Sequence, residues 1–294
     1  MNPFHYHQPT SLGEAVDLLA RYGAQARIHA GGSALLVDIQ RGELQPQHLI
    51  GLDSVPGLND IVESEEGEIT IGAMITLTDL ARYAGDRLEL RAIVEAVQLL
   101  AGRQVQNVAT VGGNICNASP GADMVPSLLC LDAQLRLQSP DGERLVPLDG
   151  FIIAPNRAEL RPGEILTAIV LPTLPPHSAS ATQKIMRRRA KDLSIAAVSA
   201  RITLSEDGQR CAQARIALCA VAPTPIRVRS AEELLTGVAL TPERVIAAAR
   251  AAAAEARPVD DVRASAEYRR MVLVTLVERA VNLAAQRALS ASKE

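Results

Sequence analysis

At 294 residues the chain is long enough for about two domains, and 48% apolar with 21% charged residues is the balance of a packed globular protein, which excludes intrinsic disorder. Lys and Arg total 30 against 33 Asp and Glu, so the formal charge of −3 leaves no basic face for nucleic acid, which binds by releasing phosphate counterions. Four Tyr, two Phe and no Trp are too few for a base-stacking platform or a large aromatic-lined substrate pocket.

The chain opens MNPFHYHQPT, without the basic-then-apolar order of a secretory signal. No apolar run approaches the ~20 residues of a membrane helix. The expected compartment is therefore cytoplasmic, with Cys116, Cys130, Cys211 and Cys219 as reduced thiols that lack any C-x-x-C spacing. His5 and His7 share one face of a strand, but a metal needs a further ligand, and no metal site is expected.

Ser11 and Glu14 stand at capping-box spacing, with Leu12, Ala15, Val16 and Leu19 on one face and Gly23 as terminator, which predicts the first helix. A strand over 27–30, a turn at Gly31, Gly32 and Ser33, and a segment over 34–41 follow. Residues 68–73 alternate as a strand does. Thr76 and Asp79 start a helix that runs to about Ala84, and 88–101 reads as a second, mostly buried helix. The densest stretch, 108–126, is followed by a predicted strand over 128–137 and a hairpin turn at 139–142. Pro172, Pro175 and Pro176 mark a boundary. Beyond it come strands over 182–188 and 194–204, a hairpin at 205–208 leading into 212–221, and helices over 231–235, 242–256 and 265–289. The fold class is α+β, its second half a small antiparallel sheet covered by helices.

Two glycine pairs, Gly31-Gly32 and Gly112-Gly113, each follow a β-like run. Glycine admits positive φ and close approach of a bound group, and successive N–H groups in such turns form a concave nest for phosphate oxygens. Two nests in one domain would cradle a diphosphate from two sides; two tight turns without a ligand are the plainer alternative. Neither loop is G-x-G-x-x-G or a Walker A loop.

A resemblance sharpens this. Ala30, Gly31, Gly32, Ser33, Ala34, Leu35 and Leu36 are similar to the first flavin loop of the FAD-binding medium subunits of molybdenum hydroxylases, among them those of carbon monoxide dehydrogenase and bacterial xanthine dehydrogenase-type enzymes. Thr110 to Asn114, continuing through Ala118-Ser119-Pro120 and Asp123, resembles the second loop. Phe151, 163–166 and 169–172 resemble the end of the flavin domain, 184–194 the K-x-x-R-R-x-A-x-D-L segment, and 220–225 and 265–270 parts of the C-terminal domain. The likeness runs nearly end to end and in order.

The resemblance implies a two-lobed vanillyl-alcohol-oxidase/PCMH-type FAD-binding domain over 1–176, with lobes of about 1–55 and 56–176. A smaller α+β C-terminal domain over 177–294 follows. It implies FAD in this chain, and molybdopterin and two [2Fe–2S] clusters on a large and a small partner subunit, in a dimer of heterotrimers. Substrate would be oxidised at molybdenum and electrons passed through the clusters and FAD to an external acceptor. No catalytic residue for substrate is implied in this chain.

The implied cofactor-binding set begins with His29 and the loop from Ala30 to Leu36, wrapping the diphosphate. Gly112, Gly113 and Asn114 approach from the other loop, and Ala73, Ala109, Thr110, Cys116 and Asn117 line the cofactor. Asp123 is implied as a ribose or ribityl acceptor, Leu166 as a neighbour of the ring system, and Lys184 as a cation at its pyrimidine end, with Asp192 and Leu193 where the second domain covers the flavin. Asp123 equally suits a helix cap, and Lys184 beside Arg187, Arg188 and Arg189 a solvated basic face. Ala34 and Thr182 depart from the family pattern, and 117–130 lack a cysteine-bearing insertion, so no iron–sulfur cluster is expected here. A stand-alone FAD oxidase and a non-enzymatic assembly subunit that has lost FAD are the alternative readings.

Overall fold

The computed structural model describes residues 3–188 and 192–291. Among the described residues three sheets, each with its own helices, follow one another along the chain, beside a small two-stranded ribbon.

The first sheet is parallel, in the order β1-β3-β2 among the described residues. Strand β1 is His5–His7, and helix α1, Leu12–Tyr22, starts where the Ser11 hydroxyl accepts the Glu14 N–H at 3.2 Å. Glu14 answers with a bond from the Thr10 N–H at 2.8 Å, one residue earlier than the capping-box spacing predicts. Gly23, at φ +48°, ends the helix. Strand β2 (Ala26–His29), helix α2 (Leu35–Arg41) and strand β3 (His48–Gly51) complete this unit. Strand β1 is where His5 and His7 are expected to share a strand face, whereas β3 escapes the sequence reading, being too short to show a period.

The second sheet is antiparallel, in the order β4-β5-β10-β6-β7 among the described residues. Its first strands are β4 (Ile61–Glu63) and β5 (Ile69–Gly72). Five helices intervene: α3 (Leu77–Ala84, capped by Thr76), α4 (Arg91–Leu99), α5 (Arg103–Gln106), α6 (Val111–Cys116) and α7 (Met124–Cys130). Then come β6 (Gln134–Ser139), β7 (Gly142–Pro147), the ribbon of β8 (Ile152–Ala154) and β9 (Arg157–Ala158), and β10 (Ile165–Leu171). The hairpin at 139–142 joins β6 to β7.

Two expectations need correction here. The predicted strand over 128–137 is the end of α7, a turn, and then β6. A short, mostly apolar run fits a buried helix as well as a strand, and Pro126 is tolerated because it lies in the first turn. The single helix over 88–101 is a 3₁₀ turn, Leu88–Leu90, followed by α4.

The third sheet is an antiparallel meander of β11 (Ser178–Ile185), β12 (Ala196–Leu204), β13 (Cys211–Cys219) and β14 (Ile226–Arg227). Helices α8 (Arg229–Leu235), α9 (Pro242–Glu255) and α10 (Ala266–Ala291) follow. All nine residues of β12 are buried, because α10 covers one face of the sheet while α4 and α7 cover the other. The polar side chains on the sheet bind across that join. Ser180 Oγ accepts the Ala92 N–H at 2.8 Å, a donor that the first turn of α4 leaves free, and donates to the Glu89 carbonyl at 2.8 Å.

A second tie across the join is electrostatic. Asp132, at φ +55° just beyond α7, accepts from Arg201 at 2.7 Å, Arg215 at 3.0 Å and Arg227 at 2.7 Å, one arginine from each of β12, β13 and β14. Arg227 also grips Glu232 of α8 at 2.6 Å. Arg201 is 2% exposed, so its charge is tolerable only while this carboxylate is present.

Candidate flavin site

The first and second units leave a cleft of about 660 Å³ between them, within the ~300–1,000 Å³ of small-molecule sites. Three segments wall it: 30–35 at the carboxyl end of β2, Ala109 to Asn117 around α6, and Leu160 to Leu166 leading into β10. Ligands of α/β folds collect at the carboxyl ends of parallel strands, where the following loop is free to face them.

The first wall is built for an anion. Gly32 adopts φ +68°, and the N–H groups of Gly31, Gly32, Ser33 and Ala34 have no hydrogen-bond acceptor among the described residues. Four successive free donors form a nest for phosphate oxygens. Gly31 is required for a second reason: a Cβ there would collide with the Val108 carbonyl and stand 2.9 Å from Ala109 Cα, so the first and second walls touch backbone to backbone.

The second glycine pair works differently from the expected second nest. Gly112 and Gly113 lie inside α6, and its first N–H groups are already used. Gly112 donates to Ala73 O at 2.9 Å, Gly113 to Thr110 Oγ1 at 3.1 Å and Asn114 to Thr110 O at 3.0 Å. The Thr110 cap that starts the helix consumes the donors a nest would need. These glycines serve close packing: a Cβ on Gly112 would lie 2.7 Å from both Ala73 Cβ and Ala73 O. Asn114 adds one free group, a buried side-chain oxygen without a partner among the described residues.

The third wall escapes the sequence reading except where Gly163 to Leu166 enter through the resemblance. Glu164 lines the cleft, and Arg144 of β7 holds its carboxylate from two nitrogens, at 2.6 and 2.9 Å. The Arg161 N–H binds it at 2.7 Å. Arg144 holds the Glu164 carboxyl below the usual value, with burial opposing and the Arg161 N–H assisting. Met74, Arg27 and Asp38 also line the cleft, with no local sequence signal to mark them.

Of the sequence-derived set, Ala30 to Leu35, Ala73, Ala109, Thr110, Gly112, Gly113, Asn114, Cys116, Asn117 and Leu166 line this cleft. Six do not. The His29 side chain lies beside Gly32, and Leu36 is a partly exposed residue of α2. Asp123 occupies the N-cap position of α7 but caps nothing. Its carboxylate instead meets Lys184 Nζ at 2.8 Å and Ser194 Oγ at 2.6 Å, and Lys184 donates further to the Leu99 carbonyl at 3.0 Å. Burial pushes the Asp123 carboxyl up, against the pull of Lys184 and Ser194. Lys184 is thus a buried, paired cation and not part of a solvated basic face. Asp192 pairs with Arg188 at 3.5 Å, and Leu193 is half exposed. Arg189, Ala190 and Lys191 of the same segment lie outside the described residues.

The cleft offers small apolar walls, a donor nest and few reactive groups. Burial pushes the Cys116 thiol up to about 12, so it is no thiolate nucleophile at neutral pH. Free N–H donors, glycines that a Cβ would push out of place and the free Asn114 oxygen fit an elongated cofactor with a central diphosphate.

Comparison with known proteins decides which cofactor. The family model for the FAD binding domain in molybdopterin dehydrogenase matches residues 2–174, and that for the CO dehydrogenase flavoprotein C-terminal domain matches 181–284. The chain belongs to the FAD-binding subunits of molybdenum hydroxylases. As such a flavin subunit it is similar to the carbon monoxide dehydrogenase medium chain of Hydrogenophaga pseudoflava, at 36% identity over 96% of each chain. It is 33% identical to the putative xanthine dehydrogenase FAD-binding subunit of Escherichia coli strain K12 over 94% of each. The solved carbon monoxide dehydrogenase from Hydrogenophaga pseudoflava superposes with a TM-score of 0.91, covering 98% of this chain and 99% of that one. The flavin subunit is therefore the FAD-carrying, electron-transferring part of a multi-subunit oxidoreductase. Among its described residues no helix is long and apolar enough to cross a membrane.

Proposed function

We propose that the flavin subunit holds FAD along the cleft, with the diphosphate on the N–H groups of Gly31, Gly32, Ser33 and Ala34. The observation that carries this reading is that run of four donors without acceptors, at the end of a parallel strand and on the wall of the cleft. Gly112 and Gly113 keep the opposite wall close, Asn114 and Asn117 offer polar side chains, and Leu166 supplies an apolar surface for the ring system. Bound there, FAD would supply the electron carrier between the partner's clusters and the external acceptor. The residues of this chain bind it, orient it and keep its surroundings apolar; none of the described residues forms an acid–base constellation for substrate. Lys184 offers a cation near the ring only if Asp123 releases it, because the pair is closed and further held by Ser194 and the Leu99 carbonyl.

Within this reading the FAD domain spans 1–176 and the C-terminal domain 177–294, with Asp192 and Leu193 on the segment that brings the second over the first. Electrons arrive from two [2Fe–2S] clusters of a small partner subunit, which is reduced by a large molybdopterin subunit where substrate is oxidised. Two such trimers associate, in the cytoplasm, and an external acceptor drains the flavin. The test is the visible spectrum of the purified chain, followed by precipitation and chromatography of the released cofactor. Released FAD and co-purification of a molybdenum and an iron–sulfur subunit from the native host are expected. A colourless chain that does not take up added FAD would overturn the reading.

A further inference from the structure

We propose that His29 is a positioning residue that couples FAD binding to the uptake of one proton. Its imidazole, set against Gly32 with Nε2 toward the donor loop, takes up that proton when a diphosphate occupies the loop in front of it. This rests on the assignment of the diphosphate to 31–34.

His29 ends β2, and its backbone is pinned there, its carbonyl accepting the Leu52 N–H at 3.1 Å. The side chain is bonded on one edge only. Nδ1 lies 3.4 Å from the Tyr6 hydroxyl of β1, and that hydroxyl donates to Asp53 Oδ1 at 3.3 Å. On the opposite edge Nε2 has no partner among the described residues. It reaches to 2.8 Å from the position a Cβ on Gly32 would take, so it stands against the second residue of the donor run. The apolar end of Leu36 on α2 closes on the same side of Gly32.

The charges around the ring explain why its protonation follows the ligand. Tyr6 faces it from β1 and Asp53 from the turn after β3, and from α2 the uncharged Leu36 reaches the same side of Gly32. Arg27, two residues earlier on β2, is turned to the Ala24 and Ala26 carbonyls. Desolvation holds His29 below the usual histidine value and outweighs Asp53, the charge among the described residues that favours the imidazolium. A diphosphate in the loop places two further negative charges beyond Gly32 and pushes His29 up. Binding then takes up a proton in the window between the two values. FAD affinity is highest below the lower, flavin-free value and declines as pH rises through the higher, flavin-bound one. A rise of one unit on binding corresponds to about a tenfold difference in affinity between the protonated and neutral forms.

The experiment uses the full chain stripped of flavin and titrated with FAD by fluorescence from pH 5.5 to 8.5 at constant ionic strength. A second readout follows the histidine Cε1–H resonances by NMR, His29 being the signal missing from His29→Gln. The wild-type Kd is expected to rise about tenfold across the range, and in His29→Gln to stay flat near the alkaline wild-type value. The His29 resonance is expected to titrate at higher pH once FAD is bound. Tyr6→Phe keeps the ring in place but severs the link to Asp53, and is expected to shift the pH profile without abolishing it. A wild-type Kd that does not change with pH overturns the proposal while FAD binding itself stands. So does an equal slope in His29→Gln, which assigns the proton to the His5, His7 and His48 cluster. Failure of the wild-type chain to bind FAD at any pH refutes the cleft assignment as well.

Discussion

Gly31→Ala is expected to weaken FAD binding far more than it weakens the fold. An alanine Cβ at this position would overlap the Val108 carbonyl oxygen and sit 2.7 Å from Val108 C and 2.9 Å from Ala109 Cα. Non-bonded carbon contacts settle no closer than about 3.2 Å to oxygen and about 3.5 Å to carbon, so the first loop must withdraw from the second wall by about 1–1.5 Å. Overpacking of this kind costs about 1–3 kcal/mol. In the flavin-free chain the loop has room to retreat, since its N–H groups hold nothing. With FAD present the donors must return to the cleft, and the cost falls on binding: about 5- to 150-fold in Kd. The assay is titration of flavin-free wild-type and variant chains with FAD, alongside thermal unfolding of both without flavin. A Gly31→Ala chain that binds FAD within twofold of wild type would refute the claim that the two walls meet backbone to backbone.

Three further outcomes follow from the same geometry. Gly13 is an exposed residue of α1 with open space where its Cβ would be, so Gly13→Ala should stabilise the chain by about 0.5–1 kcal/mol in urea unfolding and leave FAD affinity unchanged. Arg144→Ala strands the Glu164 carboxylate, whose side chain is 4% exposed, and should cost about 2–3 kcal/mol, below the full buried-pair value because Arg144 is 21% exposed. Arg144 lowers the Glu164 value on folding, so this stabilisation is complete above the ordinary glutamate pKa of about 4.3 and lost as pH falls through the lower folded one. Stability curves of wild type and variant should converge at low pH, and a gap that widened there would contradict the pairing. Lys184→Met leaves Asp123 buried and uncompensated, at about 3–5 kcal/mol, and adding Asp123→Leu should recover most of that loss. A double variant no more stable than Lys184→Met would show that the two residues do not act as a pair.

The parts of the fold legible in the sequence are those whose signal is local. Ser11 and Thr76 start helices with their own side chains, and Gly23 ends one at positive φ. Strand β10 carries no such signal: it is buried along its whole length, so its residues run apolar without alternation. Helix α7 misled for the same reason. In the site, the first glycine loop announced itself because Gly32 takes φ +68°, where side chains are rare, and no Cβ fits at Gly31 against Val108. The role of the second pair was hidden, since whether Thr110 caps a helix or opens a nest is decided by Ala73 and Ile75 across the sheet edge. Glu164 meets Arg144 from 20 residues away and Lys184 meets Asp123 from 61, separations at which sequence pattern is silent.

The convergence of Arg201, Arg215 and Arg227 on Asp132 makes the chain's two halves hard to trade. Three successive strands of the C-terminal sheet each send a guanidinium to one acceptor that the other half owns. A C-terminal half transplanted onto a flavin domain with an apolar residue at that position would bring three cations with Glu232 on Arg227 and the neutral Gln213 on Arg201. A flavin domain moved alone would carry a carboxylate to an empty seat. Recombination between relatives that cuts near residue 176 must transfer these four positions as a set, so the join is a seam at which the halves travel as matched partners and not as interchangeable modules.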